Sequence, residues 1–482
     1  MARTTSILTL LLSVHTTSTI AKNPRPIEIS RDVAIIGGGA SGTYAAVRLR
    51  ENLNKTVVVV EPRPNLGGHT STYHIQGSNL TVDYGVQSYL PYGPATSFFA
   101  RFGIATEIFA PERLTPLNVD VKTGKVLGDY QAPSTNGTNE AFSRWLAITS
   151  KYRDYLEPGY WNFPLPKDIP ADFLLPFEQF AKKEKIVDAV PRIASISGVG
   201  YGGLRDILTL TVLQAFGASL TQDFLDRTLF RPTGQNNGLL YERALQLLQP
   251  DVLLSSTVQS TKHTPNGIQL TVKSANNTIY TIKAKRILFT APPTLKNLSP
   301  FHLDQKQTSA LAPWTSSAEF VGILHAPCLP EKTSITYLPA SVVPANQLAI
   351  KDWPYSLRLD STGPSGAHLF RAIFGANYTL SADEFKALVV EKVKEVVENA
   401  GLANSTATDC NVEFKAASDH SRPWWPQEAE VLRKGFVQQV YSLQGYKNMW
   451  FTGYAWCAPY SSTVWAFTDT VLERMMAGFE RE

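Results

Sequence analysis

The sequence predicts an α/β protein in which a Rossmann-like unit is interleaved with an α+β domain. Three observations predict it. Residues 32–61 read DVAIIGGGASGTYAAVRLRENLNKTVVVVE: an apolar run, Gly37-x-Gly39-x-x-Gly42, an alanine-rich helical run, and a second apolar run closing on an acid. The chain has 482 residues, more than one compact core holds. From 112 to 191 the composition shifts to proline and aromatics, so a differently built segment interrupts the first domain.

The order strand, glycine turn, helix, strand, acid is that of a dinucleotide-binding βαβ unit. Gly37 permits the tight turn, Gly39 lets the backbone approach a pyrophosphate, and Gly42 lets the helix pack closely on the sheet. The helix start offers N–H groups and a positive dipole end to phosphates. Glu61, nineteen residues past Gly42, suits a ribose diol. Its charge repels a 2′-phosphate, which disfavours NADP.

Composition narrows the class. With 43% hydrophobic and 18% charged residues the chain is globular, not disordered. The net charge of +4 is small, and no basic run carries interleaved aromatics, which argues against nucleic acid. Residues 1–21 have the form of a secretion signal: Arg3, an apolar stretch at 7–14 too short to span a bilayer, and a small-residue cleavage site at Thr19, Ile20 and Ala21. Sequons at Asn54, Asn79, Asn136, Asn276, Asn297, Asn377 and Asn404 suit a glycosylated, secreted chain with no transmembrane segment. Cys328, Cys410 and Cys457 allow at most one bridge, and Cys457 reads as a buried thiol. Histidines and acids are too dispersed for a metal site.

Along the chain, 63–70 is a glycine loop after the second strand, and 82–87 a short segment ending near a glycine turn. A helix is predicted at 238–248 and strands at 252–258 and 267–274, joined by a Pro265-Asn266-Gly267 turn. Two separate strands follow, one at 280–284 and a buried one in the run 286–293, stopped by its prolines. Further strands are expected at 320–329, 367–374 and 447–453, with an amphipathic helix at 381–400 and a closing helix at 461–479.

The opening unit, the loop RPNLGGH at 63–69, the strand block after Leu239 and the closing WFTG at 450–453 resemble the flavin-containing amine oxidase superfamily over nearly the whole chain. Within it, IIGGGASGTYAAVRLR, LGGHTSTY and VDYGVQSY are most similar to fungal flavoproteins related to β-cyclopiazonate dehydrogenase, which act in natural-product biosynthesis. A more distant resemblance is to flavin-dependent polyenoic fatty acid isomerases. The resemblance implies an amine oxidase-type two-domain flavoprotein holding FAD. Its FAD-binding domain would comprise 30–111, 201–300 and 431–482, and its substrate domain 112–200 and 301–430.

By the same resemblance, Gly37, Gly39, Gly42 and Glu61 would hold the ADP half, and Arg63, Gly67 and Gly68 the diphosphate. Val258 would lay its backbone against adenine, and Gly453 and Tyr454 would approach the ribityl chain. His69 stands where the family often has arginine. It can pair with flavin or substrate, carry a covalent bond, or be a hydrogen-bonded neighbour. Tyr454 replaces an acid usual in the family.

A flavin carries the redox chemistry while the protein positions substrate and tunes the ring. The strand at 315–324 lacks the lysine common in amine oxidases, which argues against simple primary-amine oxidation. Tyr454 and Trp456, and less directly Trp465, are the expected aromatic walls, with His69 as a further catalytic candidate; Trp424 and Trp425 are expected at a domain interface. Tyr84, Gln87, Tyr201, Glu319 and His420 complete the acid–base candidates, and Asp419-His420-Ser421 lacks the setting of a hydrolytic triad. The expected function is FAD-dependent oxidation of an apolar or aromatic small molecule, with O2 as acceptor. The alternatives are a redox-neutral double-bond isomerase and a non-catalytic flavin carrier.

Overall fold

The structure, a computed structural model, describes residues 25–402 and 410–479. The signal at 1–21 and the sequon at Asn404 lie outside the described residues.

Among the described residues the chain builds two seven-stranded sheets. The first runs Val252–Leu253, Val57–Val60, Ile27–Ile36, Ile279–Phe289, Gly267–Ser274, Ser256–Thr264, with Met449–Phe451 also on Ile279–Phe289. One half is parallel and the other is an antiparallel meander. Ile279–Phe289 is one eleven-residue strand, not the two expected from sequence. Its first half pairs with the meander and alternates in burial. Its second half lies between two parallel neighbours and is buried throughout. Both periods are correct locally, because a parallel interior buries both faces and a meander only one.

The second sheet runs Glu413–Asp419, Thr315–His325, Leu369–Ala376, Tyr355–Thr362, Thr333–Leu338, Thr115–Asp120, with Arg422–Trp424 also on Thr315–His325. Helix Ala382–Asn399 packs Phe385, Val389, Val393 and Val396 against one face. Ser381 and Glu384 close a capping box at its start, worth about 1 kcal/mol. A disulfide joins Cys328 to Cys410, and Cys457 is free and buried.

Helices Thr135–Lys151, Val190–Ser197, Thr209–Ala215 and Ala218–Asp226 form a third layer. Helix Ala218–Asp226 packs on Thr135–Lys151, and Trp145 Nε1 donates to the Phe216 carbonyl at 3.1 Å. The helical layer therefore runs past residue 200, where the sequence suggested a return to the first domain. The next strand, Phe230–Pro232, pairs with Thr106–Ile108 in a small sheet of its own. Among the described residues no helix is long and apolar enough to cross a membrane, and no cluster of metal-binding side chains forms.

Candidate active site

The turn leaving strand Ile27–Ile36 presents backbone instead of side chains. Gly37 has φ +111°, a region L side chains rarely enter. A Cβ on Gly42 would lie 1.9 Å from the Gly37 carbonyl oxygen and 2.8 Å from Thr290 Oγ1, so helix Ala40–Glu51 seats here only without a side chain. The second glycine loop closes on the first: the Gly67 N–H donates to the Gly38 carbonyl at 2.9 Å. A Cβ on Gly68 would stand 2.9 Å from Gly39 Cα. The helix begins at Gly39 with no side-chain cap and no acid in its first turn, leaving its first N–H groups for an anion.

Glu61 is buried at the end of strand Val57–Val60. Its Oε2 accepts from the Gly38 N–H at 2.6 Å and its Oε1 from the Arg63 N–H at 2.8 Å. Burial pushes its carboxyl above the usual range, against the pull of those two N–H groups. Arg63 spans the two halves of the site: Nη1 donates to the Gly68 carbonyl at 2.7 Å and Nη2 to the Asp419 carbonyl at 3.0 Å.

Beyond this cradle three rings gather. His69 stacks on His420, and the Tyr454 ring is 5.1 Å from His69, tilted by 36°. The Tyr454 hydroxyl donates to the Ser421 carbonyl at 3.4 Å. Burial, helped by Arg63 and Arg422, pushes His69 down to about 3. Burial and His69 likewise push His420 far down, so both imidazoles are neutral at physiological pH. The Asp419-His420-Ser421 run makes no triad: Asp419 Oδ1 accepts from the Ser421 N–H, and Ser421 Oγ accepts from the Glu319 N–H.

Gly37, Gly39, Glu61, Arg63, Gly67, Gly68, His69 and Tyr454 line one cavity of about 2260 Å³. A drug-sized ligand site is roughly 300–1,000 Å³, so a dinucleotide and a substrate fit together. Past the rings the wall is apolar, with Ile108, Phe109, Leu220, Phe224, Leu225 and Leu229. Tyr84 and Gln87 also line it. Gly42 lies beneath the cradle, and so does Gly453, whose Cβ would meet the Thr290 carbonyl oxygen at 3.1 Å.

Other expected residues lie elsewhere. Val258 sits on strand Ser256–Thr264 opposite Val272 and does not line the cavity. Trp456 is 1% exposed, stacked on Phe451 at 4.9 Å. It is a core residue, which corrects its assignment as a catalytic wall. Tyr454–Trp456 is a 3-10 turn, and two steps of about 120° turn the indole away from the side Tyr454 faces. Trp465 is likewise core, stacked on Tyr89 at 5.6 Å, its Nε1 donating to the Ala40 carbonyl. Trp425 meets Tyr160 and Phe436 at the seam between helical layer and sheet.

Glu319 and Tyr201 stand behind the wall. Arg422 lines the cavity and donates from Nε to Glu319 Oε1 at 2.7 Å and from Nη2 to the Ser197 carbonyl at 2.8 Å. Arg358, Asp360 and Arg371, which the sequence reading missed, line the substrate side. Isolated charges alternating along strands look like an ordinary solvent face.

The cradle fits FAD on its own geometry. It combines a cap-free helix start, two glycine loops in van der Waals contact, and one carboxylate where a ribose diol can donate to it. The pattern of the NAD(P)-binding Rossmann-like domain matches residues 35–102. β-Cyclopiazonate dehydrogenase of Aspergillus flavus is 31% identical over 458 residues, 93% of this chain and 94% of its own length. This chain belongs to that family of FAD-dependent oxidoreductases. Another relative, FAD-dependent oxidoreductase pigF of Monascus ruber, is 30% identical over 92% of this chain and 91% of its own. The family's fold is shared with a CLA-producing fatty acid isomerase from P. acnes (TM-score 0.68, 14% identity, 92% of this chain and 98% of that one). It is shared too with putrescine oxidase (0.62, 18%, 93% and 100%).

Proposed function

We propose that this oxidoreductase removes a hydride and a proton from an apolar or aromatic intermediate of natural-product biosynthesis, creating a double bond or closing a ring. O2 takes the electron pair and two protons and leaves as peroxide. The observation that carries this reading is the single cavity joining the glycine cradle to an apolar chamber. The relative named for cyclopiazonate supports the substrate class. Bound FAD supplies the hydride acceptor at N5.

The chain's own residues do the rest. The N–H groups at the helix start, from Gly39 to Ser41, and that of Gly68 would hold the diphosphate, and Glu61 would accept from the ribose. The faces of His69 and Tyr454 offer stacking for a flat substrate. The His69–His420 pair stays neutral and only weakly basic, because burial disfavours either imidazolium, and His420 Nε2 is buried without a hydrogen-bond partner. Strand Thr315–His325 carries no lysine, in keeping with oxidation at carbon. A secreted, glycosylated chain is part of the proposal. It is supported by the Cys328–Cys410 disulfide and by exposed sequon asparagines such as Asn54, Asn136 and Asn276.

The test is to purify the protein, record its visible spectrum and the flavin released by acid, and follow oxygen uptake and peroxide with candidate substrates. Conversion with stoichiometric oxygen uptake supports an oxidase. Conversion without oxygen or any other acceptor replaces it with an isomerase. A colourless protein that takes up no FAD overturns the account.

A further inference from the structure

The two faces of the second sheet differ sharply. On strands Tyr355–Thr362 and Leu369–Ala376, residues Leu357, Leu359, Phe370, Ala372 and Phe374 are buried beneath helix Ala382–Asn399. The alternate residues Arg358, Asp360, Arg371 and Ile373 line the cavity. Asp360 pairs with Arg371 across the strands. Its Oδ2 accepts from Arg371 Nη2 at 3.0 Å and from Arg358 Nε at 3.1 Å, and its Oδ1 from Ser334 Oγ at 2.6 Å. One carboxylate therefore faces two guanidinium groups. Arg371 Nε is buried and has no hydrogen-bond partner. Asp83 also acts on Arg371, but its carboxylate is engaged by Thr72 and the Asn237 N–H, and burial raises it to about 7.

The same sign holds over the whole wall. Among the described residues eight arginines and four carboxylates line the cavity, with no lysine. Two of the eight are held from behind the wall, Arg231 by Glu107 and Arg422 by Glu319. Arg63 is committed to the glycine loop and Arg422 to Glu319, whereas Arg371 and Arg358 sit on the substrate side. A guanidinium presents parallel N–H donors that match a flat two-oxygen group, whereas an ammonium ion finds here only Asp360, already shared by two guanidinium groups.

We propose that Arg371 and Arg358 form a subsite for a planar oxyanion, a carboxylate or a delocalised enolate, on the substrate of this enzyme. This deepens the oxidoreductase reading and rests on it. The substrate is then amphipathic, its apolar body in the chamber and its anionic end on the sheet.

The test uses the FAD-loaded protein and follows flavin absorbance during titration with benzoate, its neutral isostere benzamide, and benzylamine. A second pair is 4-hydroxycoumarin, an enolate at neutral pH, and its neutral methyl ether. Anions are expected to bind about tenfold more tightly than their neutral partners, with benzylamine weakest and the preference shrinking as salt rises. The anion preferred tells carboxylate from enolate. Arg371→Met is expected to erase most of the preference and Arg371→Lys to keep part of it. If Arg371→Met fails to hold flavin, Arg358→Met is read instead, and the wild-type comparison needs no variant. Equal binding of anions and neutral partners, or a preference untouched in every flavin-loaded variant, overturns the subsite and leaves the FAD assignment standing. A wild-type protein without flavin is the separate failure of the oxidoreductase reading.

Discussion

His69 and His420 stack with ring centroids 4.5 Å apart and planes within 17° of parallel. His69 belongs to the second glycine loop, and His420 follows strand Glu413–Asp419 of the other sheet. The stack therefore closes the seam between the two sheets, beside the Arg63 bond to the Asp419 carbonyl.

That pair makes the fold acid-sensitive. An unfolded histidine has a pKa of about 6.5, whereas burial holds both rings far below it. Below pH 6.5 the unfolded state takes up protons the folded state refuses, so stability falls as pH drops from about 6.5 towards 3. His420→Phe keeps a stacking face but removes one titrating group. Across that window wild type is expected to lose about 1–3 kcal/mol more than His420→Phe, discounted for the partial exposure of the rings. Urea unfolding followed by circular dichroism at pH 7.5, 5.5 and 4.5 checks this, and identical slopes would refute it.

The cradle was legible in the sequence because its constraints are local. Glycines at fixed spacing, an apolar strand on either side and an acid after the second are all set by one βαβ unit. Helices 238–248 and 461–479 were legible for the same reason. The Arg358–Asp360–Arg371 cluster was not. Three charges from two strands become one site only through the register that sets Asp360 opposite Arg371. Trp456 misled because nearness to Tyr454 in sequence says nothing about which side of a tight turn a ring faces.

Gly39 and Gly42 are expected to fail differently. A Cβ at Gly39 has nothing nearer than Gly68 Cα at 3.7 Å, which is ordinary contact, but it points into the space where the cofactor's phosphates would lie. Gly39→Ala should fold and hold FAD at least about tenfold more weakly, a loss of about 1.4 kcal/mol. A Cβ at Gly42 collides with the Gly37 carbonyl at 1.9 Å. Gly42→Ala must displace the helix and should lower thermal stability even without FAD. Flavin content and apoprotein melting temperature separate the two; similar apoprotein melting would be the wrong result.

Glu319 and Arg422 form an ion pair whose side chains are only 14% and 13% exposed. Removing the cation alone leaves a buried carboxylate that burial already pushes up. Arg422→Met should cost about 3 kcal/mol or more. The double variant Glu319→Gln with Arg422→Met should be less damaged than Arg422→Met alone, because no buried charge is then stranded. A urea double-mutant cycle reads the coupling; strictly additive losses would mean the pair is not coupled.

Asp83 acts in the opposite sense to the histidines. It is 7% exposed and accepts from the Asn237 N–H at 3.0 Å, at the start of helix Gly238–Leu248. A helix start and two donors favour the carboxylate, yet burial outweighs them and raises the group from 3.8 to about 7. Between those values the folded state keeps a proton that the unfolded state has released. Stability contributed by Asp83 is therefore full below about pH 4, falls as pH rises towards 7, and is flat beyond. The ceiling is about 4 kcal/mol, from roughly three pH units at 1.36 kcal/mol each. Asp83→Asn keeps an acceptor for the Asn237 N–H and cannot titrate. Wild type should melt above Asp83→Asn at pH 5, and the gap should close or reverse by pH 8. A gap independent of pH would show that Asp83 stays ionised throughout, with helix start and donors outweighing burial.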